Sequence, residues 1–329
     1  MSSGTPQGVR SRRTVVVPEL VAHATEGNAR AVARLISLVE DASPVLREVM
    51  ALLAPLAGHA RVIGLTGSPG VGKSTSTSAL VSAYRRRGMR VGVLAVDPSS
   101  PFSGGALLGD RVRMQEHATD DGVFIRSMAS RGHLGGLSWA TPQALRVLGA
   151  AGFDVVLVET VGVGQAEVEI ASLADTTLVL LAPGMGDGIQ AAKAGILEVA
   201  DVFVVNKADR DGADQVVRDL RYMLSLGDRR TDALWRVPIV KTIAAKGEGA
   251  DDVVEAIERH GEWLAETGEL GRRRTRRAAD EVEAIALTAL RARMGDLRGG
   301  GALTALAARV VAGELDPYTA ADRLVDSLT

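Results

Sequence analysis

The chain has 329 residues, of which 46% are hydrophobic and 24% charged, and its formal net charge at pH 7 is −2. These values are typical of a soluble globular protein that has one large domain with additions, or two domains, and they give no reason to expect nucleic acid as a partner. The lack of cysteine excludes disulfides, cysteine-ligated zinc and thiol chemistry. No apolar run of about 18 residues occurs, and no signal-peptide core precedes Pro18, so we expect a cytoplasmic protein without a membrane partner.

Helices are predicted before the first strand. Residues 1–18 are expected to form a flexible tail, and residues 19–60 a helical extension. Apolar residues recur at a spacing of three and four in residues 32–39, which is the pattern of a helix with one buried face. Ser43 and Pro44 form a pair of the kind that caps a helix and occupies its first position, and they predict the start of another helix.

Residues 61–268 alternate between short apolar runs and helical stretches, which is the pattern of an α/β fold. Together with residues 67–74, which fit the phosphate-binding pattern G-x-x-x-x-G-K-[ST], this alternation predicts a P-loop NTPase domain with a doubly wound, mostly parallel sheet and helices on both faces. Ligands of such sheets bind outside the carboxyl ends of the strands. The predicted strands are 62–66, 91–96, 123–125, 155–159, 178–182, 202–206 and 239–242.

Residues 269–329 are predicted to form a helical C-terminal segment. Its last helix is expected to begin at Asp316 and Pro317, again a cap followed by a proline in the first position. The arginine-rich stretch 272–277 is interpreted as a solvated helix face rather than as a contact for an acidic partner.

The most specific motif is a phosphate-binding loop that fits G-x-x-x-x-G-K-[ST] at every fixed position. It follows a short buried strand and precedes a helix predicted for 76–87 and ended by Gly88, which is the context that the motif requires. Backbone N–H groups of such a loop surround the β-phosphate, while Lys73 would reach the β- and γ-phosphates and Ser74 would hold Mg²⁺. The residues predicted to contact the phosphates are Gly67, Ser68, Pro69, Gly70, Val71, Gly72, Lys73, Ser74 and Thr75.

A second motif identifies the base. Asn206, Lys207 and Asp209 fit N-K-x-D at the end of a predicted strand. The Asp209 carboxylate can accept both donors of guanine but would face an acceptor in adenine, so GTP and GDP are the expected nucleotides. Ala244, Ala245 and Lys246 follow the next strand, and their backbone amides are expected to meet the guanine carbonyl oxygen.

Carboxylates at strand ends are the candidate Mg²⁺ ligands. Asp97 and Glu159 each end an apolar strand, and Asp110 lies in a loop that could approach the γ-phosphate. Ser74 completes the predicted metal set.

Glu159 and the residues that follow it are expected to act in catalysis together with Lys73. The N–H of Gly162 would sense the γ-phosphate as part of a switch. Val163 occupies the place where many GTPases have a water-orienting glutamine, and Gln165 is the nearest glutamine, so slow unassisted hydrolysis is expected.

With these residues in place, the chain resembles the methylmalonyl-CoA mutase-associated GTPases, the MeaB/ArgK family of the SIMIBI branch of P-loop GTPases. The stretch E-T-V-G-V-G-Q, which opens with glutamate rather than aspartate, and the stretch R-S-M-A-x-R-G-H-L-G-G are specific to this group. The tail and the C-terminal segment match only in helical character. The matching segments are 31–40, 67–74, 96–101, 124–136, 159–165, 183–187 and 206–209.

The resemblance implies a GTPase chaperone of adenosylcobalamin-dependent methylmalonyl-CoA mutase, in which GTP binding and hydrolysis are coupled to cofactor loading and to protection of the mutase. It also implies a homodimer formed through C-terminal helices, a role that residues 278–294 fit. The family's switch regions correspond here to 97–113, 159–165 and the loop after Pro183. In that last loop, the polar residues that would relay the nucleotide state to a partner are Asp187, Gln190 and Lys193.

Three other readings stay open at this point. A kinase is disfavoured by the guanine motif. A metal-delivery GTPase of the same branch would carry clustered cysteine and histidine ligands, whereas the histidines here have no paired ligand spacing, and His133 in the family-like stretch is either functional or structural. The third reading is a module that binds a nucleotide without hydrolysing it. The client could also be another B12-dependent mutase.

Overall fold

The computed structural model describes residues 16–56, 58, 60–98, 114, 116–130, 140–160, 166–184, 197–227, 235–294 and 301–326. The chain divides into two compact units, Met1–Arg273 and Arg274–Thr329. Within the described ranges, no helix is both long and apolar enough to cross a membrane.

The first unit is built on a seven-stranded parallel sheet with the order β3-β2-β4-β1-β5-β6-β7. The predicted α/β fold is therefore confirmed. Strand β3 continues five residues beyond the predicted end at Ile125, because Arg126 to Ser130 stay paired with β2 although the apolar run has ended. The strands are β1 Arg61–Thr66, β2 Val91–Pro98, β3 Val123–Ser130, β4 Val155–Thr160, β5 Thr176–Leu181, β6 Val202–Val205 and β7 Ile239–Lys241.

Helices cover both faces of this sheet. Neighbouring residues of one strand enter different cores: Val62 packs with α1, α2, α3 and α5, whereas Ile63 packs with α4 and α8. A third cluster joins α7 to β5 and β6. The helices of this unit are α1 Val17–Thr25, α2 Ala29–Glu40, α3 Leu46–Leu53, α4 Lys73–Arg86, α5 Thr141–Ala150, α6 Ala166–Leu173, α7 Ala213–Gly227 and α8 Ala250–Glu266, with 3₁₀ turns at Leu197–Val199 and Ala244–Lys246.

The predicted start of α3 at Ser43 and Pro44 is wrong. The N–H of Ser43 donates to the carbonyl of Leu38 at 3.0 Å, so Ser43 closes the end of α2. Helix α3 begins only at Leu46, whose N–H donates to the carbonyl of Ser43 at 2.9 Å, and no side chain caps it. The sequence signal was a true boundary, but it marked the end of one helix rather than the first turn of the next.

Helix α9, Glu269–Met294, carries the arginine-rich stretch, and its interpretation as wholly solvated is wrong for Arg273. The guanidinium of Arg273 binds both oxygens of the Asp201 carboxylate, at 2.9 and 3.0 Å, and the carbonyl of Asp175 at 3.0 Å. Asp201 is itself buried and also accepts from the N–H of Thr177 at 2.8 Å. One arginine of the stretch therefore belongs to a buried polar network.

In the second unit, helices α10, Gly301–Val311, and α11, Pro317–Asp326, follow α9. The predicted cap of α11 is confirmed, because Asp316 Oδ1 accepts from the N–H groups of Tyr318 and Thr319 at 2.9 and 3.1 Å. The helical character of the C-terminal segment is thus confirmed. The limits of the four predicted segments, 1–18, 19–60, 61–268 and 269–329, stay predictions.

Candidate nucleotide-binding site

Sheet topology brings the two main motifs to one edge. Strand β1, which leads into the phosphate loop, lies between β4 and β5. Leu65 is paired with Glu159, so the acid at the end of β4 stands beside the start of the loop. On the other side β5 pairs with β6, whose end leads into the N-K-x-D motif. The carboxyl ends of these parallel strands therefore gather the predicted phosphate, metal and base residues.

Glycines shape the phosphate loop at two close approaches. Gly67 has φ +141°, and a Cβ there would lie 2.4 Å from the carbonyl oxygen of Leu180. Gly72 has φ +97° and caps α4, and a Cβ there would lie 2.5 Å from Nδ2 of Asn206. Because the loop turns at Gly72, helix α4 begins at Lys73 rather than at the predicted Ser76. Its first N–H groups have no partner within the helix and are suited to bind an anion.

The ammonium group of Lys73 is folded back over the loop. Nζ donates to the carbonyl of Gly67 at 2.6 Å and to that of Ser68 at 3.2 Å, and the residue is buried. Both acceptors are neutral carbonyls of the loop that would surround a phosphate. An anionic phosphate oxygen is a stronger acceptor than a carbonyl, so this position suits a charge-assisted bond to the nucleotide.

Glu159 is held by hydroxyl groups from the first turns of α4. Ser74 Oγ donates to Oε1 at 2.6 Å, and Thr77 Oγ1 donates to Oε2 at 3.0 Å. Glu159 is only 2% exposed. Ser74 and Glu159 were predicted from the sequence, whereas Thr77 was missed, because the stretch Ser74-Thr-Ser-Thr-Ser78 gives no signal that separates one hydroxyl from the next.

The N-K-x-D residues make direct contact with the phosphate loop. Asn206 Nδ2 donates to the carbonyl of Val71 at 2.8 Å, and Lys207 Nζ donates to that of Gly70 at 2.6 Å. Lys207 has φ +57°, an uncommon conformation for a residue with a side chain. The predicted role of Asn206 as a tie between the two loops agrees with this geometry. The carboxylate-bearing residue of the motif, Asp209, is exposed.

The third base segment is joined to the same asparagine. Asn206 Oδ1 accepts from the N–H of Ala244 at 3.0 Å and from Thr242 Oγ1 at 3.2 Å. The N–H of Lys246 donates to the carbonyl of Ile243 at 2.8 Å. Of the three backbone amides predicted to donate to the guanine carbonyl oxygen, those of Ala244 and Lys246 thus already donate to acceptors within the protein. The N–H of Ala245 makes no hydrogen bond to any part of the chain that the structure describes.

The structure does not describe the side chains of several predicted site residues. Asp97 lies in β2, where its backbone pairs with Ala129, and its side chain is not described. The residues that lie outside the described ranges are Asp110, Gly162, Val163, Gln165, Asp187, Gln190, Lys193 and His133.

Comparison with known proteins places the chain among nucleotide-binding relatives. The family model described as methylmalonyl Co-A mutase-associated GTPase MeaB matches residues 32–296. A protein of Pyrococcus abyssi (strain GE5 / Orsay) that is named a putative GTPase is 45% identical to this chain. The match covers 95% of this chain and 97% of that protein. The mitochondrial methylmalonic aciduria type A homologue of Mus musculus is 34% identical over 82% of this chain and 68% of its own length.

A solved structure shows the same fold. The crystal structure described as an LAO/AO transport system kinase superposes on this chain with a TM-score of 0.70 and 26% sequence identity. The match covers 95% of this chain and 97% of that one. The predicted P-loop architecture with flanking helices is confirmed by this likeness.

Proposed function

The chain belongs to the family of methylmalonyl-CoA mutase-associated GTPases described by the MeaB model, and from this premise we propose that it is a chaperone of adenosylcobalamin-dependent methylmalonyl-CoA mutase. As a member of this family it binds guanine nucleotides and hydrolyses GTP. The proposed role couples that cycle to loading of the mutase cofactor and to protection of the mutase. The observation that supports the nucleotide cycle is the contact of Asn206 with Val71, since it joins a guanine motif to a complete phosphate loop. The mutase as partner is proposed from the match of the family model to residues 32–296.

Recognition of guanine is assigned to two groups. The exposed carboxylate of Asp209 would accept from both donors of the base, while the side chain of Lys207 would lie along the base. The N–H of Ala245 is the amide of the 244–246 turn that is left to donate to the guanine carbonyl, because those of Ala244 and Lys246 already have acceptors. The proposed pocket thus matches each polar group on one edge of guanine.

A magnesium ion is proposed beside the phosphates. The oxygens of Ser74 and Glu159 lie 2.6 Å apart and are ligands of the kind that Mg²⁺ prefers, so the residues present fit the metal. Asp97 and Asp110 are the further proposed ligands. When bound, the metal supplies positive charge against the β- and γ-phosphates.

Catalysis is assigned to the phosphate loop and to the segment after β4. Lys73 would exchange its bonds to the Gly67 and Ser68 carbonyls for phosphate oxygens and stabilise negative charge that develops on the transferred group. Glu159 would hold the magnesium ion together with Ser74. Gly162 and Gln165 are proposed to sense the γ-phosphate and to orient water.

Communication with the mutase is assigned to the loop that contains Asp187, Gln190 and Lys193. A homodimer is also proposed, and large apolar side chains exposed on α9 support it. Those exposed side chains are Val282, Ile285, Leu287 and Leu290. We place this activity in the cytoplasm.

The decisive test is the affinity of purified methylmalonyl-CoA mutase for this protein loaded with GDP or with a non-hydrolysable GTP analogue. A partner that favours one nucleotide state must bind that state more tightly, so the two affinities should differ, and GTP turnover should rise across a mutase titration. The variant Asp209→Asn in the same GDP and GTP-analogue solutions is the control, and it should lose the difference because it binds guanine nucleotides poorly. Equal affinities and flat turnover for the wild type would leave a GTPase with another client.

A further inference from the structure

The hydroxyl of Thr77 contacts the carboxylate oxygen of Glu159 that Ser74 does not contact. Thr77 is completely buried on α4, three residues beyond Ser74. Its Oγ1 lies 3.0 Å from Oε2 of Glu159 and 3.1 Å from the carbonyl of Lys73. Each carboxylate oxygen of Glu159 therefore has its own hydroxyl donor on the same helix.

A threonine hydroxyl has one hydrogen and can give it to only one of these two acceptors at a time. The carbonyl of Lys73 is at the first turn of a helix and is neutral, whereas an ionised carboxylate is the stronger acceptor. The charge-assisted bond to Glu159 is therefore the favoured one. A bond back to the helix carbonyl alone would be the ordinary behaviour of a threonine within a helix.

Ser74 and Thr77 differ in what else they can contact. Ser74 is in the first turn of α4, beside the phosphate loop, and its oxygen is the proposed metal ligand. Thr77 lies farther along the helix and is buried. Its contact with Glu159 can persist unchanged while the surroundings of Ser74 change with metal and nucleotide.

We propose that Thr77 is a positioning residue for the magnesium site: it fixes Oε2 of Glu159, so that Oε1 stays directed at Ser74 and the metal. This inference rests on the proposed metal role of Ser74 and Glu159. Without the hydroxyl, a buried carboxylate loses a donor to one oxygen and gains freedom to rotate away from Ser74. Loss of a group that orients a metal ligand typically lowers metal affinity by about 10-fold to 100-fold.

The test uses the full chain loaded with a fluorescent GDP analogue. The rate at which the analogue is released is measured at increasing Mg²⁺ concentrations, and this dependence gives the Mg²⁺ dissociation constant. Thr77→Val replaces the hydroxyl with a methyl group, and Thr77→Ser keeps it. Thr141→Val is the matched control, because Thr141 is also completely buried in a helix and its Oγ1 has no hydrogen-bond partner among the residues that the structure describes. We expect Mg²⁺ affinity to fall about tenfold or more in Thr77→Val and to stay within about twofold of wild type in Thr77→Ser and Thr141→Val.

Two further measurements separate positioning from loss of structure. GDP affinity in excess chelator should be the same in all four proteins, since without metal the position of Glu159 does not matter. Thermal unfolding identifies any variant that is not folded. If Thr77→Val is not folded, Thr77→Ala is used in its place. Wild-type Mg²⁺ affinity in Thr77→Val or its replacement, equal losses in Thr77→Ser, or equal losses in Thr141→Val would each overturn the proposal.

Failure of this inference can be told apart from failure of the metal site itself. Ser74→Ala and Glu159→Gln remove the proposed ligands. If these two weaken Mg²⁺ binding but the Thr77 variants do not, only the role of Thr77 is wrong. If neither ligand variant changes Mg²⁺ affinity, the proposed metal site is wrong and Thr77 cannot position it.

Discussion

The side-chain amide of Asn206 donates a hydrogen bond of 2.8 Å to the carbonyl oxygen of Val71, in the middle of the phosphate loop. Its oxygen accepts from the N–H of Ala244 at 3.0 Å. A single buried amide therefore joins three loops that follow three different strands. The arrangement needs a donor and an acceptor on two separate atoms of one side chain, and the amide of Asn206 supplies both.

Asn206→Asp should weaken nucleotide binding and stability together. The carboxylate keeps an acceptor for Ala244 but places a second acceptor against the Val71 carbonyl, in a buried position. An unsatisfied buried polar group costs about 1 to 3 kcal/mol, and more when charged. We expect a lower melting temperature and a GDP affinity, measured by calorimetry, that falls at least about tenfold.

The control for that change is Asn28→Asp. Asn28 is exposed and caps α2 by accepting from the N–H groups of Arg30 and Ala31 at 3.0 and 3.1 Å. A carboxylate can accept both bonds, and a negative charge at a helix start is favourable. This variant should keep wild-type stability and affinity, and an equal loss in both variants would contradict the assigned tie.

Lys73→Ala should lower GTP turnover by about 100-fold or more while the protein stays folded. The lysine places its positive charge at the phosphate loop, where its ammonium group donates to the carbonyls of Gly67 and Ser68. Single-turnover kinetics at saturating GTP measures the effect. Lys241→Ala is the control, since Lys241 is exposed and paired with Asp214 at 3.1 Å, so its loss should leave turnover unchanged.

Asp209→Asn should exchange guanine for xanthine specificity. The new amide can donate to the exocyclic oxygen of xanthine, whereas it faces a donor in guanine. We expect affinity for GTP to fall and affinity for xanthosine triphosphate to rise, as measured by competition with a fluorescent nucleotide. Asp211→Asn removes a neighbouring exposed carboxylate and should change neither affinity.

The phosphate loop, the N-K-x-D motif and Glu159 could be found from the sequence because each combines fixed residue types with a strand end. The parallel sheet was predictable for the same reason, since apolar runs alternate with helical stretches. Contacts between these motifs were harder to predict from the sequence. Asn206 was expected to tie two loops, but its bond to Ala244 depends on the side-by-side order of β5, β6 and β7.

Two residues escaped sequence analysis for different physical reasons. Thr77 lies in a run of five hydroxyl residues, and only the position of β4 next to β1 decides which of them meets Glu159. Arg273 lies in an arginine-rich stretch whose composition is that of a solvated face. Its pairing with Asp201 depends on where α9 starts relative to β6, which no local pattern records.

The buried pair of Asp201 and Arg273 should make stability depend on pH. Burial raises the pKa of Asp201, but the nearby His260 ring, with Nε2 at 3.3 Å, and the hydrogen bonds from Arg273 outweigh it, and the net pKa is lowered from its ordinary value. A carboxyl group with a lowered pKa in the folded state stabilises the protein above its unfolded pKa, near 4. That contribution is lost as the pH falls from there through the folded pKa.

Asp201→Asn should therefore destabilise the protein at pH 7 by about 3 kcal/mol, because it leaves a partly buried guanidinium without its charge partner. The loss should shrink as the pH falls below about 4, since the wild type then gives up the same interaction. Urea unfolding from pH 7 to pH 3 measures both effects. Asp251→Asn removes the partner of the exposed Arg86, at 2.8 Å, and should change the free energy of unfolding by less than about 1 kcal/mol at any pH. A pH-independent loss in Asp201→Asn would show that the amide disturbs packing rather than charge.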